Sequence, residues 1–310
     1  MSVFRISTWI AWLENIIVLF IISLTFYISL PVQTQKTLFV PQGSIENIIS
    51  QLTKKGYALS KIDSYILRVI GTPKSGWLYI GEDELNRMDF LHKLCNSKAM
   101  IHKITLIPGE TSELFFEALS KKLTLKKSKL EKYYQVYSKY PEAGIYADTY
   151  HVPYGIKEKN LMKFLTKQSE KKYKSISKEY YEEFNQSKWN EILVIASIIQ
   201  KEAANNKEMP LVSSVIYNRL KKGMRLQMDG TLNYGKYSHV KVTPERIRTD
   251  SSSFNTYKHK GLPASPIGSV SISAIKAAIT PAKTDYLYFM RNNKGVHDFA
   301  KTYKKHRRNI

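Results

Sequence analysis

The stretch that most constrains the fold is residues 189–234, where apolar residues recur at helical spacing and end on one carboxylate. Ile192, Ile195 and Ile199 fall on a single helical stripe. Three positions further along, the same stripe reaches Glu202. An ionised Glu is costly to bury without a partner. Two interpretations follow. Glu202 is either a solvated residue at a helix end, paired with a nearby Lys, or a general acid whose pKa is raised at the floor of a cleft.

A second helix is predicted over residues 210–222, with Pro210 at its first position and Gly223 at its end. Its apolar stripe continues to Asn218, which places an amide on the inner face. The loop that follows offers Gln227 and Asp229. One acid with several amide or carboxylate groups suits the binding of a sugar. A polar hairpin without such a role has the same composition, so this pattern alone leaves both interpretations open.

The residue patterns of this hairpin resemble a known family. ASIIQKE, SSVIYNRL and GMRLQMDGTLNYG, in this order and spacing, resemble the signature of the MltG (YceG-like) endolytic murein transglycosylases. The similarity continues to the end of the chain. SFNTY at 253–257 is similar to the family's S-Y-N-T-Y, GLP with PI at 261–267 to its G-L-P-P-x-P-I, and YLYF with GVHDF at 286–299 to its Y-L-Y-F…G-x-H-x-F.

This resemblance implies a lytic transglycosylase that needs one carboxyl group and neither a metal nor a cofactor. It implies that Glu202 protonates the glycosidic oxygen between N-acetylmuramic acid and N-acetylglucosamine, and then takes a proton from the muramoyl 6-hydroxyl to leave a 1,6-anhydro end. The residues expected to position the glycan are Asn218, Gln227, Asp229, Asn255 and Tyr257. Asp229 is also a candidate second carboxylate, which would give an ordinary two-carboxylate mechanism. His297 is a further candidate for the cleft.

Several positions depart from the family's patterns, among them Ala147, which stands where the family has Pro. Gly230 stands where the family usually has Pro in D-P-T, and a glycine is expected to loosen the loop that carries Asp229. Gln200 replaces the first Glu of E-K-E, whereas the second Glu of that triplet corresponds to Glu202. Ala143 replaces Gly in a segment similar to E-G-x-x-x-P-D-T-Y.

The N-terminus carries a long apolar run at residues 9–30, which is long enough to cross a bilayer. Trp9, Trp12 and Tyr27 lie near its ends, where interfacial aromatic residues are common. A cleaved signal peptide is the alternative, but no small-residue cleavage site follows the run. We therefore expect a retained single-pass anchor. The family resemblance implies a bacterial inner-membrane protein whose catalytic part lies on the periplasmic side.

The rest of the chain predicts an α+β fold in three parts: an anchor over 1–32, a small LysM-like module over 33–106, and a catalytic YceG-like domain over 107–310. Within the module, helices are expected over 61–70 and 84–94 and a strand over 77–80. In LysM-type modules such a pattern supports sugar-polymer binding, and a plain spacer is the alternative.

The formal net charge of +22 favours anionic partners. One such class is nucleic acid, but no nucleic-acid-binding motif is present and the apolar segment argues against it. The expected partners are peptidoglycan glycan strands and the cytoplasmic membrane, and the resemblance adds peptidoglycan synthases. A membrane-tethered, non-catalytic wall-binding scaffold is the alternative function.

The chain has a single cysteine, Cys95, so an intramolecular disulfide is excluded. Cys95 is expected to be a core residue.

Overall fold

The computed structural model describes residues 2–308, with side chains from residue 9 onward, and its fold is mixed α+β. The chain forms two units. The first comprises Met1–His102 with Val152–Gly155, and the second comprises Lys103–His151 with Ile156–Ile310. The expected limits of the LysM-like and catalytic domains stay a prediction.

The first unit has four helices and four short strands among its described residues. In chain order they are α1 (Ser2–Ser29), β1 (Pro31–Gln33), β2 (Thr37–Val40), α2 (Ile45–Lys54), α3 (Lys61–Ile70), β3 (Gly76–Tyr79), β4 (Glu84–Asn86) and α4 (Arg87–Asn96). β1 pairs with β4 and β2 with β3, both antiparallel. The helix expected over 61–70 and the strand expected over 77–80 are confirmed by α3 and β3.

One boundary predicted in this unit is wrong. Residues 84–94 were expected to be helical throughout, but Glu84–Asn86 form β4 because they pair with β1. The helix begins at Arg87, and the Asn86 side chain caps it by accepting a hydrogen bond from the Asp89 N–H at 2.8 Å. Cys95, near the end of α4, is buried in the apolar core of the unit, as expected.

Within residues 2–308, α1 is the one helix that is long and apolar enough to cross a membrane. Its stretch Trp9–Ser29 has 21 residues and a mean hydropathy of 2.0, and it is not buried in the protein. A signal sequence has the same properties. The length and composition of α1 therefore suggest either a membrane anchor or a signal sequence.

The last turn of α1 contacts the body of the first unit through one tyrosine. The Tyr27 hydroxyl donates to Asp63 Oδ2 at 3.0 Å and accepts from Arg87 Nη1 at 2.9 Å. Arg87 Nη1 also donates to Asp63 Oδ2 at 2.7 Å, and both side chains of this ion pair are buried. A buried ion pair depends on its remaining hydrogen bonds. The end of α1 thus completes a polar cluster inside the first unit.

The second unit is built around one buried helix. Its elements are α5 (Ser112–Leu123), α6 (Lys127–Tyr137), α7 (Glu158–Lys178), α8 (Gln186–Glu202), α9 (Met209–Lys221), α10 (Pro244–Thr249), α11 (Ile272–Ile279), β7 (Tyr288–Arg291), β8 (His297–Ala300) and α12 (Tyr303–His306). β5 (Ile101–Thr105) pairs with β6 (Thr149–Pro153), and β7 pairs antiparallel with β8. α8 contributes an unbroken buried run from Ile192 to Ile199, and α9 and α11 pack against it.

The buried ion pair of the first unit gives a prediction about stability. Replacement of the guanidinium in Arg87→Met leaves the Asp63 carboxylate buried without its cation, and such losses cost about 3–5 kcal/mol. Arg68→Met is the matched control, because Arg68 forms an exposed ion pair with Glu46 and such pairs contribute about 1 kcal/mol or less. Equilibrium unfolding of the full-length protein in detergent, with hydrogen exchange of the α3 and α4 amides, measures both. Equal losses in the two variants would contradict this account.

Candidate active site

The site begins at the last residue of α8. Asn185 caps the start of this helix by accepting from the Lys188 N–H at 2.9 Å, and the helix ends where Ala203 becomes extended. Glu202 therefore lies at the end of a helix that is buried from Ile192 to Ile199. Its side chain is half-buried, and Oε1 accepts a hydrogen bond of 2.6 Å from the Gly230 N–H.

Burial dominates the electrostatics of this carboxyl group. It raises the pKa of Glu202 to about 7, against the hydrogen bond from Gly230, which favours the ionised form. The neighbouring Asp229 raises the pKa further, and Arg219 lowers it. The carboxyl group is thus poised to give and to take a proton near neutral pH.

The backbone of Gly230 lies close against Glu202. A Cβ atom at this position would lie 2.7 Å from Glu202 Oε1 and 2.8 Å from the Lys201 Cβ. A proline, which the family usually has here, could not donate to Glu202 because it lacks an N–H. The glycine expected only to loosen the loop therefore supplies a backbone hydrogen bond to the carboxyl group.

Glu202 faces a cleft of about 510 Å³. The loop after α9 contributes Gln227 and Asp229 to its lining, and Tyr257 joins them from a later segment. Polar and aromatic groups of the C-terminal region complete the walls, among them Tyr288, Arg291, His297, Tyr303 and His306. Four of the six site residues predicted from the sequence, the acid included, are therefore brought to one cleft.

Asp229 and Tyr257 are joined directly. The Tyr257 hydroxyl donates to Asp229 Oδ1 at 2.6 Å, and burial together with this carboxylate raises the pKa of Tyr257. Gln227 takes a left-handed backbone conformation with φ of 50°, which is uncommon for a residue other than glycine. The buried Thr256 holds this loop, because its carbonyl accepts from the Gln227 N–H at 3.2 Å. The strained residue lies in the cleft, where such outliers concentrate.

The two predicted asparagines bind backbone groups outside the cleft lining. Asn218 Nδ2 donates to the carbonyls of Thr284 and Tyr286 at 2.8 and 2.9 Å. Asn255 is fully buried, and its Oδ1 accepts from the Tyr257 N–H at 3.1 Å. These contacts fix the segments that lead to β7 and to Tyr257. Direct glycan contact by either asparagine stays a prediction, and the contacts present give both a supporting role.

Arg219 is a cleft residue that the sequence analysis did not single out. It is only 8% exposed, yet it lines the cleft beside Glu202. Its Nε donates to the Leu287 carbonyl at 2.7 Å, and its Nη1 donates to the Leu226 carbonyl at 2.6 Å. These bonds hold a fixed positive charge near the carboxyl group. Arg219 stands in the last turn of α9, where basic residues are common, so no local pattern set it apart.

A second pair reaches the cleft through His297. Its Nδ1 lies 2.7 Å from Glu208 Oε2, and its backbone N–H donates to Glu208 Oε1 at 2.9 Å. Burial opposes ionisation of Glu208, but the bonds from His297 and from the Ala204 N–H hold its pKa below the ordinary value. The expectation that His297 belongs to the cleft is confirmed. Its partner was missed because the two residues are far apart in sequence.

Glu142 is a second carboxyl group whose pKa is raised to about 7 by burial, and its surroundings differ. Its Oε1 accepts from the Ser112 N–H at 2.9 Å, from the Ser112 hydroxyl at 2.6 Å and from the Ala143 N–H at 3.2 Å. It therefore binds the first residue of α5. Ala143 adopts φ of 59° where the family pattern has glycine. This carboxyl group has a structural role at a helix start.

Fold and site together define a class of protein: an α+β chain with an apolar N-terminal helix and a half-buried carboxyl group of raised pKa at a polar cleft. The chain belongs to the YceG-like family, whose model matches residues 38–310. The resemblance described from the sequence is thereby confirmed.

Individual relatives agree with this assignment. A stretch of 118 residues is 42% identical to an endolytic murein transglycosylase of Bacillus subtilis, and it covers 38% of this chain and 32% of that protein. A stretch of 127 residues is 35% identical to an endolytic murein transglycosylase of Streptococcus pneumoniae, and it covers 39% of this chain and 23% of that protein. The matches thus span a third or less of the relatives' own length.

A solved structure matches over more of the chain. A yceG-like protein of Listeria monocytogenes superposes with a TM-score of 0.56 at 25% identity, covering 88% of this chain and 98% of that one. The similarity therefore extends well beyond the stretches shared with the two transglycosylases.

The raised pKa of Glu202 has a consequence for stability. From its ordinary 4.5 to about 7, the unfolded chain has released this proton while the folded protein keeps it, so stability falls as pH rises through that window. Glu202→Gln removes this contribution. We expect its urea-unfolding free energy to fall less steeply with pH than that of the wild type, with the difference constant above the window. Glu191→Gln, an exposed position on the same helix, is the control. Parallel curves for wild type and Glu202→Gln would refute the raised pKa.

Proposed function

We propose that this chain is a membrane-anchored endolytic lytic transglycosylase of peptidoglycan. The observation that carries the proposal is the Glu202 carboxyl group, half-buried at the cleft with a pKa raised to about 7 and a hydrogen bond from Gly230. The names of the Bacillus and Streptococcus relatives support the substrate class. Cleavage within nascent strands would terminate glycan elongation.

The proposed reaction uses one carboxyl group twice. Glu202 gives its proton to the oxygen that links N-acetylmuramic acid to N-acetylglucosamine, and the bond from that oxygen to the anomeric carbon breaks. N-acetylglucosamine leaves with a hydroxyl group while positive charge develops on the anomeric carbon. The Glu202 carboxylate then takes the proton of the muramoyl 6-hydroxyl, whose oxygen bonds to that carbon. The product is a 1,6-anhydro end, and no water is consumed.

The surroundings of Glu202 suit both halves of this reaction. Burial keeps the group protonated before the first proton transfer. After the transfer, the Gly230 N–H and the fixed Arg219 charge stabilise the carboxylate. Glu202 can therefore give a proton in the first step and accept another in the second.

Gln227, Asp229 and Tyr257 are proposed to bind glycan hydroxyl and acetamido groups, since they line the cleft. The bond between Tyr257 and Asp229 fixes both side chains before substrate arrives. Asn218 and Asn255 are proposed to act through the backbone segments that they hold. Asp229 remains a candidate for stabilising the developing positive charge.

The contact between α1 and the first unit supports a retained anchor over a cleaved signal peptide. Cleavage after α1 would remove Tyr27, and with it two hydrogen bonds to the buried Asp63–Arg87 pair. Only one residue lies between the end of α1 and the start of β1, so cleavage there would also cut the chain next to β1. A signal peptide is absent from the mature protein, so contacts of α1 with a buried cluster of that protein favour a retained helix.

The first test is mass spectrometry of products released from uncross-linked glycan by the full-length protein in detergent. We expect internal fragments that end in 1,6-anhydromuramic acid. Glu202→Gln should lower their rate of formation about 100-fold or more, which is the usual contribution of general acid–base catalysis. Glu191→Gln should keep full activity.

Other products would change the assignment. Reducing ends in place of anhydro ends would mean that water is the acceptor, with Asp229 as the second carboxylate. Binding of glycan without any product would favour the non-catalytic scaffold. Full activity of a folded Glu202→Gln protein would overturn the proposal.

The rate should also depend on pH through Glu202. Because the acid must be protonated in the free enzyme, kcat/KM should fall as pH rises above about 7. Gly230→Pro removes the amide that favours the ionised form and also brings an apolar Cβ against Glu202 Oε1. Both changes disfavour the carboxylate, so the falling limb should lie at higher pH. pH–rate profiles of both proteins measure this. A limb unmoved by Gly230→Pro, or moved downward, would show that the amide does not tune the acid.

A further inference from the structure

The outer face of α3 is apolar, although it is exposed. Ile62, Tyr65 and Val69 are 49%, 61% and 87% exposed, and their spacing of three and four residues places them on one stripe. Ile66 extends the stripe and is partly exposed. A surface helix normally carries polar residues on this side. Contiguous exposed apolar residues mark a surface that another molecule covers.

The start of α3 is tied to the end of the apolar helix α1. Ser60, which caps α3, has its hydroxyl 2.6 Å from the Tyr27 hydroxyl, and Asp63 of the first turn accepts from that same hydroxyl at 3.0 Å. Trp9–Ser29 has 21 residues, and a bilayer core takes about 20. Tyr27 then lies at the level of the headgroups, where tyrosine is favoured. Its contacts bring the first turn of α3 to the same level.

We infer that α3 lies along the membrane surface and that lipid covers its apolar stripe. This inference rests on the proposed anchoring of α1. Lys61 is exposed beside the stripe and suits an anionic headgroup, while Ile62, Tyr65 and Val69 enter the boundary with the acyl chains. An α3 seated in this way gives the first unit two attachments to the membrane, one spanning and one interfacial. The orientation of the unit to the bilayer is then fixed by both.

Lipid is favoured over a protein partner by continuity. The stripe starts beside α1, whose apolar side chains from Trp9 to Phe26 are also exposed. The same lipid bilayer can therefore cover the side chains of α1 and the stripe of α3. A helix of ten residues is about 15 Å long, so Val69 reaches the interface only when α3 lies along it, and position 69 is therefore the decisive probe.

The test uses single cysteines that carry an environment-sensitive fluorophore, in the full chain with Cys95→Ala, reconstituted in phosphatidylcholine–phosphatidylglycerol vesicles. Ile62→Cys and Val69→Cys report on the stripe. Ile17→Cys reports on insertion of α1 and is tested with a nitroxide lipid labelled deep in the acyl chain, because residue 17 lies near the middle of Trp9–Ser29. Asn96→Cys is the aqueous control, because it is exposed at the far end of α4, whose first residue contacts Tyr27.

We expect blue-shifted emission at positions 62 and 69, with loss of fluorescence when a headgroup-depth nitroxide lipid is added and little quenching by iodide in the water. At position 96 we expect emission without a blue shift, no quenching by the nitroxide lipid, and strong quenching by iodide. If position 17 is quenched by lipid while 62 and 69 behave like 96, the inference is overturned and the anchoring stands. Shielding from iodide without quenching by nitroxide lipid would mean that a protein, such as a second copy of this chain, covers the stripe, which also overturns it. No lipid quenching at position 17 would refute the anchoring, and this inference with it.

Discussion

The hydrogen bond from the Gly230 N–H to the Glu202 carboxyl group joins the two parts of the chain on which the cleft depends. One part is α8, which is buried from Ile192 to Ile199 and cannot shift without disturbing the core of its unit. The other is the loop that presents Gln227 and Asp229. A bond of 2.6 Å between them sets the depth of the acid and the position of the loop together. The contact leaves no room for a side chain at residue 230, because a Cβ there would lie 2.7 Å from Glu202 Oε1.

The two carboxyl groups of raised pKa, Glu142 and Glu202, differ in the contacts that surround them. Burial acts on Glu142 and on Glu202 alike. Glu142 Oε1 accepts three hydrogen bonds at the start of α5, so its bonding capacity serves the fold. Glu202 accepts one backbone bond and lines a cleft with a fixed cation beside it. Both groups line a pocket and both have a raised pKa, so neither feature distinguishes them. The number of hydrogen bonds that each accepts from the protein does.

Features of the fold and site that depend on residues close together in sequence could be predicted, whereas contacts between distant residues could not. The place of Glu202 could be predicted because a helical stripe is a local pattern, and α3 could be predicted for the same reason. Glu208 and His297 pair across 89 positions, and no local pattern reports such a contact. The strand at 84–86 was missed because its only reason to be a strand is its pairing with residues 31–33. Asn218 was placed on the inner face correctly, but its amide is used by the backbone before β7.

A contact between residues far apart in sequence also makes the end of α1 part of the fold of the first unit. Loss of one partner from a buried ion pair costs about 3–5 kcal/mol, and a hydrogen bond to a charged group contributes about 1.5–3 kcal/mol. Tyr27 makes such bonds to both Asp63 and Arg87. Folded domains are stable by only about 5–15 kcal/mol, so these contacts are a large share of what holds the first unit together. The unit and the end of the helix are therefore best understood as one folding element, in which the last turn of α1 and the residues around Asp63 stabilise each other.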